Sequence, residues 1–194
     1  MRTEPEMGQE IMRYAIWFFL GGGILIYSLI LFNELIRIRT EMDRAWSDID
    51  VLLKQRHDEI PNLVATCQGY MQHEQNVFTT VAQARSAYAN AATVGEKAQA
   101  DALTAGALRT LFGAAESYPE LKAISTFVQL QKMIADLEER IADRREYFNA
   151  AVATYNTRIR QLPEVFVAAP LGMKPRELFQ ATGDERQVTQ VQFS

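Results

Sequence analysis

The side chains best suited to chemistry are His57, His73, Cys67 and the carboxylates Asp48 and Asp50. The two histidines are sixteen residues apart and belong neither to an H-E-x-x-H zinc site nor to the E-x-x-H pairs of di-iron bundles. They are expected to be solvated or capping side chains. Asp48 and Asp50 are two residues apart, which on a helix turns them to different faces, so they make a poor acid–base couple and read as charged, exposed surface. Cys67 lies between Val64 and Met71 on an apolar stripe, where a thiol acts as a small buried hydrophobe. As the single cysteine it excludes an intrachain disulfide and thiol-rich zinc sites, which fits a reducing compartment. Phosphate-cradling loops of the G-x-x-x-x-G-K-[ST] or G-x-G-x-x-G kind do not occur. An Asp- or Glu-dependent hydrolase is disfavoured because no paired carboxylates converge. The expectation is therefore a protein that is not an enzyme, with no catalytic residue, no cofactor and no metal site.

The elements that carry these residues are helices. Glycine and proline are sparse, and Ala, Leu, Gln, Glu and Arg fill long stretches, so an all-α fold without sheet is expected. With 194 residues and a formal net charge of −4, the chain suits one folded domain beyond any membrane segment and has no basic surface for nucleic acid.

Tyr14 to Phe32 (YAIWFFLGGGILIYSLILF) contains no charged residue. At about 1.5 Å rise per residue it spans roughly the 30 Å hydrocarbon core of a bilayer. Asn33-Glu34-Leu35-Ile36-Arg37 offers no small-residue cleavage site, which favours an uncleaved anchor over a signal peptide. The run is apolar on every face and carries Tyr14 and Trp17 for the interface, which favours an anchor over a buried core helix. Gly21, Gly22 and Gly23 leave a bare patch where another helix can approach. Arg37, Arg39 and Arg44, with Lys54 and Arg56 beyond, outnumber Arg2 and Arg13. The bulk of the chain is accordingly placed in the cytoplasm and the N-terminus outside.

From Met42 an apolar stripe runs through Trp46, Ile49, Leu53, Ile60, Val64, Cys67, Met71, Phe78 and Val81, with a kink or a fresh helix start expected at Pro61. The first clear break is expected at Asn90 to Gly95, with Glu96 opening a helix that reaches about Phe112 and ends near Gly113. Ala114 to Pro119 reads as a turn or broken helix. Phe127, Ile134, Ile141, Phe148, Tyr155 and Leu162 recur every seven residues, with Leu130, Leu137 and Ala151 between them. Arg144 and Arg158 interrupt that seam and argue for an intramolecular bundle rather than a free coiled coil. Two long helices are expected to pack antiparallel. After Pro163 an apolar loop, Val165 to Gly172, precedes an expected short helix from about Pro175 to Ala181. The organisation expected is a short N-terminal segment (1–13), a transmembrane helix (14–32), a helical-bundle domain of two long and about two shorter helices (33–181) and a polar tail (182–194).

Ala45 to Val64 (AWSDIDVLLKQRHDEIPNLV), Gly69-Tyr70, Ala84-Arg85, Leu108 to Gln131 (LRTLFGAAESYPELKAISTFVQLQ), Arg144 to Ile159 (RREYFNAAVATYNTRI) and Leu171 to Phe179 (LGMKPRELF) together resemble the LemA family. The most visible departure is the run of three glycines in the anchor. The resemblance implies one N-terminal membrane helix and an antiparallel bundle facing the cytoplasm, at a bacterial inner membrane. The family has no established enzymatic activity, and its members have been connected to envelope stress and to membrane organelle formation. It supplies no catalytic residues to carry over. The expected function is a membrane-anchored scaffold with the lipid bilayer and copies of itself as partners. An adaptor for a membrane protease or secretion machine is the alternative, with a membrane protein as partner. The candidate self-association surface is Gly21, Gly22, Gly23, Val165, Phe166, Val167 and Leu171. The candidate partner surface is Trp46, Asp48, His57, Asn62 and Tyr118.

Overall fold

The computed structural model describes residues 4–180. Arg2 and the expected polar tail, 182–194, lie outside the described residues. The described elements are α-helices: α1 (Glu4–Gln68), α2 (Gln75–Asn90), α3 (Val94–Ala115), α4 (Pro119–Lys122), α5 (Ser125–Arg158) and α6 (Val165–Ala168). The fold is all-α, as composition predicts, with α1 and α5 as the two long helices and α4 and α6 as single turns.

Local chemistry accounts for several boundaries. Thr93 caps α3 by accepting from the Glu96 backbone N–H at 3.1 Å, while Glu96 Oε2 accepts from the N–H groups of Thr93 (2.9 Å) and Ala92 (2.7 Å). This reciprocal box satisfies donors that a helix start leaves without partners. Those backbone donors hold the Glu96 carboxyl below its ordinary pKa. Glu96 is therefore the third residue of the helix rather than its first. Pro119 begins α4, where a missing N–H costs nothing.

Other boundaries differ from the sequence reading. α1 passes Pro61 without a fresh start and ends at Gln68. The first break is thus at 69–74, well before Asn90, where the Cys67 carbonyl accepts from both Tyr70 and Met71 N–H groups. The apolar stripe continues in phase across this turn, since Met71 and Val77 are buried, and periodicity alone does not register it. α3 runs through Gly113 to Ala115. The helix expected over Pro175 to Ala181 does not form among the described residues. Residues 173–178 carry no helical structure, and the short helix lies instead at Val165–Ala168, inside the expected apolar loop.

The contacts divide the chain into two compact units. The first comprises the described residues up to Glu41 together with Thr154–Arg176. It contains a helical stretch, starting at Met12, that is long and apolar enough to cross a membrane; the apolar window carries no buried side chain. Beyond that window Leu35, Ile38, Tyr155, Ile159 and Ala168 are buried. Arg158 lies 3.7 Å from Glu34 and 2.5 Å from Glu164. Asn156 accepts from the Arg176 N–H and donates to the Arg176 carbonyl, both at 2.8 Å, which closes the segment between them into a lobe.

The second unit comprises Met42–Ala153 together with the described residues from Glu177. Within it α1 and α5 run antiparallel: Trp46 meets Phe148, Asp48 lies near Arg144 and Arg56 near Glu138. The heptad residues Phe127, Ile134, Ile141 and Phe148 are buried, as are Leu130 and Leu137. One core cluster joins Phe127, Leu130 and Ile134 to Ile60, Leu63, Cys67, Val81, Leu108, Leu111 and Leu121. Arg144, which breaks the heptad seam, is exposed and faces Asp48 at 3.9 Å.

Candidate functional site

The second unit holds its charges in two layers across the helices. In the inner layer the Arg56 guanidinium of α1 is ion-paired with Asp101 of α3, and Glu138 of α5 stands 3.9 Å from it. Arg56 and Asp101 are buried. Burial pushes the Glu138 carboxyl above its ordinary pKa, against the opposing pull of Arg56. In the outer layer the Lys97 ammonium pairs with Asp50 and lies 5.6 Å from the Trp46 ring centroid and 5.9 Å from that of Tyr88. A cation between an aromatic face and a carboxylate is held by both the ring quadrupole and the anion. Burial, followed by the Asp50 charge, pushes the Tyr88 hydroxyl up to about 12. His57 packs on Tyr88 with centroids 4.8 Å apart.

These groups hold one another. Each cation sits on a carboxylate, and each pair joins two helices, so the arrangement reads as interior cross-linking. Among the described residues no three His, Cys, Asp or Glu side chains are grouped as metal ligands are. A cleft of about 580 Å³ opens beside this network, lined by Arg109, Phe112, Glu116, Lys122, Phe127 and Glu138 among others.

The candidate partner residues are not brought together. Trp46 is half-buried between Phe148 (5.5 Å), Phe179 (6.0 Å) and Lys97, and works as core. Asp48 is exposed. Asn62 donates to Glu59 at 3.2 Å on the exposed side of α1. Trp46 and Asn62 are sixteen positions apart, which separates them by about 24 Å along the helix. Tyr118 donates through Oη to Glu74 Oε1 at 3.3 Å, beyond the end of α1. Two readings of single residues change. Asp50 is half-buried and paired rather than solvated. His57 is also half-buried, and its Nδ1 is a buried atom without a hydrogen-bond partner among the described residues. His73 is exposed and Cys67 is buried, its thiol pushed up to about 11 by burial.

The candidate self-association residues all fall in the first unit. Around Gly21, Gly22 and Gly23 the space a Cβ would take is open. Phe166 is 73% exposed and Leu171 46%, while Val165 and Val167 are half-buried. Leu162, expected to close the heptad seam, lies past the end of α5 and is 72% exposed. Sequence reasoning did not single out Arg56, Asp101, Lys97 or the asparagines Asn149 and Asn156. Their partners lie tens of residues away, and no local spacing marks them.

A match to the LemA family covers residues 45–193, most of the chain. The chain belongs to the LemA family. The LemA match begins at Ala45, one residue before Trp46, and includes the whole charge network. Protein LemA of Metamycoplasma hominis is 28% identical, over 92% of this chain and 83% of its own length. Magnetosome protein MamQ 2 of Paramagnetospirillum magneticum is 24% identical over 78% of this chain, and so is magnetosome protein MamQ of Magnetospirillum gryphiswaldense. The chain spans 65% of the length of those MamQ relatives.

Proposed function

We propose that this LemA-family protein is a membrane-anchored scaffold that catalyses no reaction and assembles with copies of itself at the bacterial cytoplasmic membrane. The observation that carries the reading is how the chain distributes its polar and apolar groups. The inward charges of the bundle are spent on one another, buried Arg56 on Asp101 and half-buried Lys97 on Asp50. The longest run of uncovered apolar surface lies on α1 between Met12 and Phe32. Such a helix is stable in lipid or against other apolar helices, and the open backbone at Gly21 to Gly23 favours close helix approach. The naming of MamQ relatives for the magnetosome supports a role in building a cellular structure. The excess of Arg37, Arg39 and Arg44 on the long side of the run supports an N-terminus outside and a bundle in the cytoplasm.

The test is the particle mass of full-length protein extracted in mild detergent. Symmetric multimers of this chain alone are expected, and a strict monomer at native membrane density rejects self-assembly. The cleft between Phe112 and Phe127 supports a second reading, an adaptor that receives a segment of a membrane protein partner. In that case the purified particle contains a stoichiometric second protein, and substitution of Arg109 and Lys122 at the cleft releases it.

A further inference from the structure

The lobe between Asn156 and Arg176 presents apolar side chains where a folded protein normally hides them. Leu162, Phe166 and Leu171 are exposed by 72%, 73% and 46%. All three project from a segment that is internally well bonded: the N–H groups of Val165, Phe166, Val167, Ala168 and Ala169 each find a carbonyl three or four residues back. The lobe is clamped at its base by the two Asn156 bonds to Arg176 and braced by Arg158 on buried Glu164.

Its place relative to the apolar run says what covers it. Arg158, the last residue of α5, lies 3.7 Å from Glu34, and Glu34 is the second residue after the uncharged run ends at Phe32. Two residues of helix correspond to about 3 Å along the axis. The lobe therefore begins level with the edge of the hydrocarbon layer that the run spans. Arg158, Arg160, Lys174 and Arg176 stand in the segment against the single carboxylate of Glu164, which is already committed to Arg158. Apolar side chains flanked by cations at the end of a spanning helix match the chemistry of a boundary between acyl chains and anionic headgroups.

We infer that this lobe is a second membrane contact, with Leu162, Phe166 and Leu171 entering the headgroup–acyl boundary beside the anchor and Arg160, Lys174 and Arg176 resting on anionic headgroups. The inference depends on the anchor reading of α1. Its consequence is that the first unit holds the membrane at two points, which limits tilt and rotation of the chain about a single spanning helix.

The test uses full-length protein in vesicles of phosphatidylcholine with a minority of phosphatidylglycerol. A polarity-sensitive fluorophore is attached to Phe166→Cys, Leu171→Cys, Ile24→Cys in the anchor or Lys132→Cys on the exposed side of α5. Cys67 is buried, and the parent protein treated in parallel sets the background. At positions 166 and 171 the emission is expected to shift to the blue and to be quenched by brominated phosphatidylcholine, as at 24 and unlike 132. Aqueous behaviour at 166 and 171 with lipid quenching at 24 overturns the lobe contact and leaves the anchor standing. Aqueous behaviour at 24 as well overturns both. Blue-shifted emission at 166 that resists bromolipid but disappears when labelled protein is diluted with unlabelled protein overturns the lipid contact in favour of a second copy.

Discussion

Arg56 of α1 and Asp101 of α3 are ion-paired inside the helical bundle, 45 residues apart in the chain. Neither side chain has an alternative in water, and Glu138 shares the same guanidinium at 3.9 Å. Removing Arg56 leaves Asp101 buried without its ion pair, and removing Asp101 leaves buried Arg56 only the more distant Glu138. Arg56→Met or Asp101→Asn alone is expected to lower stability by about 3–5 kcal/mol. The double replacement Arg56→Met with Asp101→Leu should recover most of the loss. Urea unfolding followed by circular dichroism decides the matter, and additive losses in the double variant contradict the pairing.

His57 gives the bundle a pH dependence of defined sign. Burial lowers its pKa first, Arg85 and Lys54 lower it further, and Asp58 opposes them. Unfolded, the imidazole titrates near its ordinary value of 6.5. The native state therefore binds fewer protons just below that value. Its contribution to stability is complete above 6.5 and is lost as pH falls through 6.5 toward the lower folded value. Denaturation midpoints measured across this window should decline on acidification, and His57→Gln should flatten the decline. An unchanged slope in the variant assigns the effect to another group.

Cys67 is buried and its thiol is pushed up to about 11, so little thiolate exists near neutral pH. Disulfide reagents are expected to modify it at the rate of local or global opening, and rapidly in denaturant. Fast stoichiometric labelling of the native protein would place Cys67 at the surface and contradict its core position.

Phe179 anchors the chain beyond the lobe. It is fully buried near Trp46, and Asn149 accepts from its N–H at 2.8 Å while donating to its carbonyl at 3.2 Å. Phe179→Ala should cost about 3–5 kcal/mol. Asn149→Ala, which leaves two backbone groups without their partner, should cost about 1–3 kcal/mol. Both variants should speed tryptic cleavage at Lys174 and Arg176, and parental cleavage rates would show that the segment is held by something else.

Much of the architecture is local and was legible. The apolar run from Tyr14 to Phe32 and the heptad from Phe127 to Tyr155 each depend on residues within a few turns of one another, where helix geometry alone sets which side chains meet. The same locality explains the misplaced boundaries. The stripe keeps its phase through Met71 and Val77, so the turn at 69–74 leaves no mark on periodicity, and Pro61 is tolerated inside a helix that packing holds together on both sides.

The sequence by itself determined the all-α character, the apolar faces of the long helices, the apolar run and membership of the LemA family, because these rest on nearest-neighbour spacing and on long stretches of residue identity. Only the tertiary structure decided which charges are interior and how the chain closes after α5. Arg56 and Asp101, Lys97 and Asp50, and Asn149 and Phe179 are separated by 45, 47 and 30 residues. Residues 175–180 have the composition of a short helix, yet they are drawn out as the Asn156 amide takes the backbone of Arg176 and the Asn149 amide that of Phe179. Helix propensity of a few tenths of a kcal/mol per residue does not compete with burial of a phenylalanine and four such hydrogen bonds, and those partners become available only once the bundle has formed.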